Sequence, residues 1–128
     1  MKTIRVVAAI IHEGNKILIA KRSYGEFSGL FEFPGGKFEP GESGEEAIKR
    51  EILEEMNVHI EVETFYMNIK YDYDTFRLDM DCFLCHLIDH QMTLDSHSEI
   101  KWIDHDDPSI NWVPADILII DEIKKRGL

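Results

Sequence analysis

Glu51, Glu54 and Glu55 stand at i, i+3 and i+4, so on a helix their carboxylates share one face. Three acids packed in this way repel one another unless positive charge sits among them. Hard divalent cations take oxygen ligands and bind through carboxylates together with substrate phosphates. Arg50 lies beside the three and is placed to hold one carboxylate. On these residues alone a solvated acidic helix face reads equally well. The upstream context adds to them: Gly35-Gly36 ends a strand and opens a loop, and Glu42 precedes the helix. Glycines let a backbone approach a phosphate or metal and offer it amide donors. Strand, glycine turn, acidic loop and three-carboxylate helix together make a metal–diphosphate cradle.

The elements that must position these groups follow from the pattern of apolar residues. Val6 to Ile11 is a β-branched run that reads as a buried strand, and Glu13-Gly14-Asn15 is a turn signal. Lys16 to Arg22 is a second strand, and Leu30 to Phe33 a short aromatic one halted by Pro34-Gly35-Gly36. Ser43 and Glu46 fit a capping box at the start of a helix that runs to about Met56. Its expected apolar arc is Ile48, Ile52, Leu53 and Met56, and Asn57 fits a left-handed C-cap. Val58 to Leu87 is extended, with a polar break near Tyr73-Asp74-Thr75. Ile100 to Ile103 is another strand. Ala115 to Lys125 reads as a terminal helix with Ile117, Leu118, Ile120 and Ile123 on its apolar side. The order predicts an α+β protein with a mixed sheet between helices, in a single domain spanning residues 1–128.

Composition narrows the partners. The 128 residues carry a formal net charge of −11, which works against binding long nucleic acid. A small phosphorylated substrate remains compatible if metal ions bridge it to carboxylates. No apolar run approaches the roughly 20 residues of a membrane span. The two cysteines, Cys82 and Cys85, suit a reduced, cytoplasmic setting. Their C-x-x-C spacing invites a zinc or redox reading, but on a strand residues three apart face opposite sides. Two packed thiols is the better reading.

Gly36, Glu42, Arg50-Glu51-Ile52, Glu54-Glu55 and Val58 together resemble the Nudix box, G-x5-E-x7-R-E-U-x-E-E-x-G-U, where U is aliphatic. Only the final glycine differs, being Asn57, the next-best residue for a left-handed cap. The segment Phe31 to Lys37 also looks like the family's lead-in. The resemblance implies the Nudix fold, an α/β/α sandwich, and a nucleoside triphosphate pyrophosphohydrolase of the MutT-like or CTP pyrophosphohydrolase-like branch. It implies Mg²⁺, with Mn²⁺ as a substitute, held by Glu51, Glu54 and Glu55 and by a carbonyl of Gly35 or Gly36. Arg50 would orient a catalytic carboxylate and Glu42 would support the loop. Many relatives carry a further Glu before a Trp-containing strand; lining up Trp102 puts Ser96 there. Asp95, Glu99 or a box glutamate would then take its work, with His97 a titratable alternative to a plain solvated loop histidine.

The same resemblance suggests where a nucleotide would lie. Phe33 or Phe31 could stack on a base, although strand alternation lets only one face the pocket. Asp116 sits where such enzymes read the base, its plainer reading being a first-turn Asp favoured by the helix dipole. Arg22 and, less firmly aligned, Arg77 are the substrate-binding cations. Cytosine nucleotides or oxidised purine nucleotides are the expected substrates. ADP-ribose, a dinucleoside polyphosphate or a non-catalytic nucleotide-sensing role are the alternatives; ADP-ribose relatives usually carry an extra N-terminal segment, and this chain begins directly at its first strand. The expected assembly is a monomer or homodimer.

Overall fold

The computed structural model describes residues 1–93 and 97–128. Chain order is β1 (Lys2–Glu13), β2 (Lys16–Arg22), β3 (Phe31–Glu32), β4 (Gly35–Lys37), α1 (Gly44–Met56), β5 (Ile60–Asp72), β6 (Phe76–Leu87) and β7 (His97–Asp104). A short 3-10 turn, Pro114–Asp116, leads into α2 (Ile117–Arg126).

Among the described residues the strands form one mixed sheet, ordered β3-β2-β1-β6-β5, with β4 pairing to β1 and β7 to β2. β1 runs parallel to β6 over Lys2 to Ile11, and the other strand pairs are antiparallel. Alternation along β1 divides the core. Val7, Ala9 and Ile11 pack with Ala47, Ile48, Ile52 and Met56 of α1. Ala8 and Ile10 pack with Ile119, Ile120 and Ile123 of α2. The sheet therefore lies between the helices, as the α/β/α expectation requires. Among the described residues no helix is long and apolar enough to cross a membrane.

The ends of α1 follow from single residues. Ser43 Oγ accepts from the Glu46 N–H at 3.2 Å, and Glu46 Oε1 accepts from the Ser43 N–H at 2.9 Å. Asn57 closes the helix at φ 55°, ψ 37°, its N–H bonding the Leu53 carbonyl. The capping box and the left-handed cap are thus both formed.

Three expectations need correction. Leu53 is 39% exposed, so α1 buries Ala47 in place of it. In α2, Ile117 and Leu118 are exposed while Ile119 is buried. The 3-10 turn sets the helix phase, and the buried stripe runs 116, 119, 120, 123, at helical spacing. Gly35-Gly36 does not simply end a strand: Gly35 to Lys37 form β4, paired with Ala8, Val7 and Val6. A Cβ on Gly35 would lie 1.9 Å from the Val7 carbonyl oxygen, so only glycine permits this approach.

Cys82 and Cys85 fall in opposite halves of the core, both buried and free. Burial pushes the Cys82 thiol well up and the Cys85 thiol to about 12.

Candidate active site

β4 and α1 face each other across a narrow gap, and the contact is set by two residues. A Cβ on Gly36 would lie 2.3 Å from the Glu51 carboxylate, so Glu51 rests against bare backbone. Burial holds the Glu51 carboxyl above its ordinary value, against the lowering pull of Arg50.

Arg50 gathers the acids. Its Nε and Nη2 donate to Glu42 at 2.5 and 2.9 Å, and Nη2 also reaches the Lys37 carbonyl at 2.9 Å. Its Nη1 donates to Glu51 at 3.0 Å and to Glu54 at 3.1 Å, and lies 3.4 Å from Glu39. The guanidinium pulls Glu42 below the usual carboxylate range, and Arg50 itself is pushed upward by the same bonds. Glu42 also accepts from the Glu39 N–H at 2.8 Å, which fixes the loop before α1. Among the described residues no three His, Cys, Asp or Glu side chains close around one point. The reason is visible in the bonds: with the guanidinium as the nearest positive charge, Glu51 and Glu54 turn towards it.

A cavity of about 550 Å³ opens beside this face. Gly35, Gly36, Glu51 and Glu55 line one end, and Phe33, Arg22 and Asp116 line the other. Glu54 is half exposed and stands outside the lining.

Asp116 is buried at 5% exposure and makes no helix-capping bond. It accepts instead from the Phe33 N–H at 2.8 Å. Burial, with Glu32 nearby, pushes its carboxyl up to about 8. Asp116 does stand in the first turn, as its plainer reading has it, but there it is buried and bonded to Phe33. Phe33 stacks on Trp112 with ring centroids 5.3 Å apart. Phe31 is buried outside the cavity, with Lys101 4.8 Å above its ring, so alternation places Phe33 alone in the lining. Arg22 donates to Glu32 at 3.1 Å and lies over Tyr24, while its buried Nε has no hydrogen-bond partner among the described residues.

Arg77 is elsewhere. It grips Asp72 at 2.6 and 3.0 Å beside the β5–β6 turn and does not line the cavity. The alternation of β6 explains this: Phe76, Leu78 and Met80 face the cavity, and Arg77 points the other way. Glu99 is exposed, 3.4 Å from Lys21, and also outside the lining. Asp95 and Ser96, and the side chain of His97, lie outside the described residues.

The sequence marks Tyr73 only as part of a polar break. Its hydroxyl accepts from the Ala115 N–H at 3.1 Å, and it packs on Phe76 and Phe27 in the cavity wall. Burial pushes the phenol up to about 12. Glu32 also lines the cavity, and only its place beside Phe33 in the short aromatic strand is legible in the sequence.

Comparison with known proteins gives the family. A model described as the NUDIX domain matches residues 1–127. The CTP pyrophosphohydrolase of Escherichia coli (strain K12) is 49% identical over 63 residues, 48% of this chain and 47% of that protein. An 8-oxo-dGTP diphosphatase of Haemophilus influenzae is 38% identical over 76 residues, 58% of this chain and 56% of that protein. The chain thus spans about half the length of the curated relatives it matches. The solution structure of the E. coli ORF135 protein has a TM-score of 0.83 at 30% identity, covering 98% of this chain and 91% of that one. With the domain model matching residues 1–127 and the fold shared, the chain belongs to the NUDIX domain family.

Proposed function

We propose that this chain is a nucleoside triphosphate pyrophosphohydrolase that releases a nucleoside monophosphate and pyrophosphate. The observation that carries the reading is a single cavity with the Glu51–Gly36 face at one end and Asp116 with Phe33 at the other. A triphosphate and its base need both ends at once.

The acid face fits a hard divalent cation. Its donors are carboxylate and peptide oxygens, and the bare backbone of Gly36 lets the Glu51 carboxylate come directly against β4. Glu51, Glu54 and Glu55, with the carbonyl of Gly35 or Gly36, would hold Mg²⁺, or Mn²⁺ in its place. Bound there, the ion would neutralise the diphosphate and acidify an attacking water.

The remaining work belongs to the chain. Arg50 keeps Glu51 and Glu54 at fixed spacing and ties them to Glu42 and the Lys37 carbonyl. One water is consumed as a bridging P–O bond breaks, and positioning carries most of such a reaction. At the far end, Asp116 has one oxygen engaged by the Phe33 N–H and the other available to a base edge. With its carboxyl at about 8, it donates from the protonated form at neutral pH and accepts above. Cytosine nucleotides and oxidised purine nucleotides offer matching groups, in line with the names of the relatives.

The test is pyrophosphate and phosphate release with Mg²⁺ from CTP, dCTP, 5-methyl-dCTP, dGTP, 8-oxo-dGTP, ADP-ribose and a dinucleoside tetraphosphate. One triphosphate should lead, with pyrophosphate as product. Faster turnover of ADP-ribose or the dinucleotide would overturn the substrate class. Asp116→Ala should reorder the bases, and an unchanged ranking would remove Asp116 from base reading.

A further inference from the structure

At the end of the sheet where β1 and β6 finish, three strands place two imidazoles against one carboxylate. His12 Nε2 lies 2.8 Å from Glu63 Oε2, and His86 Nδ1 lies 3.1 Å from the same oxygen. None of the three lines the cavity of the candidate active site, which begins at Val6 to Ala8 on β1. We propose that His12, Glu63 and His86 form a second metal site, taking a borderline divalent cation such as Zn²⁺.

Backbone register builds the cluster. Ile11 pairs with Cys85 across β1 and β6, which brings His12 and His86 alongside. On β5, Val62 pairs with Cys85 and Thr64 with Leu84, so Glu63 is the extra residue of a β-bulge. A bulge re-aims a side chain, and here it carries Glu63 over the two imidazoles. Val62 stays with the α1 half of the core, which leaves Glu63 on the opposite face with His86.

The donor set and spacing suit the ion. Two imidazole nitrogens and one carboxylate oxygen are ligands of Zn²⁺ and its neighbours, and imidazole is a poor choice for Mg²⁺. With metal–ligand bonds of about 2.0–2.1 Å, tetrahedral donors stand roughly 3.3 Å apart. The present 2.8 and 3.1 Å separations need only a slight opening. As the side chains stand, no group of three among the described residues, these included, is arranged to hold a metal ion. Glu63 Oε2 occupies the centre because it accepts from both rings, and binding exchanges those two hydrogen bonds for coordinate bonds. The side chains are 23%, 33% and 48% exposed, so the ion has an entry path and water can complete its shell.

Such an ion would clamp the ends of β1, β5 and β6 and would be separate from the hard cation proposed at Glu51. The experiment is calorimetric titration of the full chain with Zn²⁺ in a large excess of Mg²⁺, followed by Co²⁺ visible absorption. One Zn²⁺ per chain should bind despite the Mg²⁺, and Co²⁺ should give the intense bands of a tetrahedral site. His12→Ala and His86→Ala should each weaken binding by at least about tenfold, since even removing an outer partner of a metal ligand costs that much. Mg²⁺-dependent turnover should be unchanged in both. His86→Gln, a half-exposed and fold-neutral change, serves as a second variant and should lose the Co²⁺ bands. No binding in excess Mg²⁺ would overturn the site. So would binding insensitive to His12 and His86, including binding lost only in His59→Ala or His90→Ala.

Discussion

The carboxylate of Asp116 accepts a 2.8 Å hydrogen bond from the peptide N–H of Phe33, joining the start of α2 to the strand segment that enters the acid face. The bond lies in the core and leaves the carboxyl at about 8, against 3.8 for an ordinary Asp. Between those values the folded chain keeps a proton that the unfolded chain has released. Stability therefore falls as pH rises through this window, by at most about 1.4 kcal/mol per pH unit. Asp116→Asn keeps an acceptor for Phe33 and cannot ionise. Urea unfolding at about pH 5 and about pH 7.5 should show a smaller loss in this variant than in the parent chain. Equal losses in the two would contradict it.

The two adjacent glycines should fail differently. A methyl group on Gly35 would meet the Val7 backbone, which cannot yield, so Gly35→Ala should destabilise the fold by about 1–3 kcal/mol. A methyl group on Gly36 would meet the Glu51 carboxylate, the far end of a side chain that can swing away. Gly36→Ala should stay near parental stability while losing turnover. Thermal unfolding and pyrophosphate release, measured together, separate the two effects.

Arg50→Lys keeps the charge and discards the fork. A single ammonium cannot bond Glu42, Glu51, Glu54 and the Lys37 carbonyl together. Misplaced carboxylates should lower kcat by about 100-fold. A Lys variant with parental kcat would show that this network does not position the site.

Asn57 sits at φ 55°, where a β-branched side chain is strained. Asn57→Val should cost about 1–2 kcal/mol, while Asn57→Gly should be neutral or slightly stabilising. Chemical denaturation of both variants checks this.

Much of this was legible because local chemistry and global fold agree. The capping box at Ser43, the left-handed Asn57 and the shared face of Glu51, Glu54 and Glu55 need only neighbouring residues, and each was readable. The opposite facing of Cys82 and Cys85 followed from strand period alone. What sequence reasoning missed depends on contacts distant in the chain. Arg77 was misplaced because its face is set by the register of β6, not by its charge. Asp116 was recognised as a candidate but not as a buried group, because the 3-10 turn shifts the phase of α2. Reading the period back from Ile123, Ile120 and Ile119 would have placed it on the buried stripe. Tyr73 gained its role only when the β5–β6 turn met the peptide of Ala115.

The most direct test is Mg²⁺-dependent pyrophosphate release by the parent chain and by Glu54→Gln. Glu54 is half exposed and packs against nothing in the core, so the variant should fold normally. If the helix carboxylates hold the cation, Glu54→Gln should lose most turnover with its melting temperature unchanged. Near-parental turnover in a folded Glu54→Gln chain would contradict the assignment of the acid face as the metal centre.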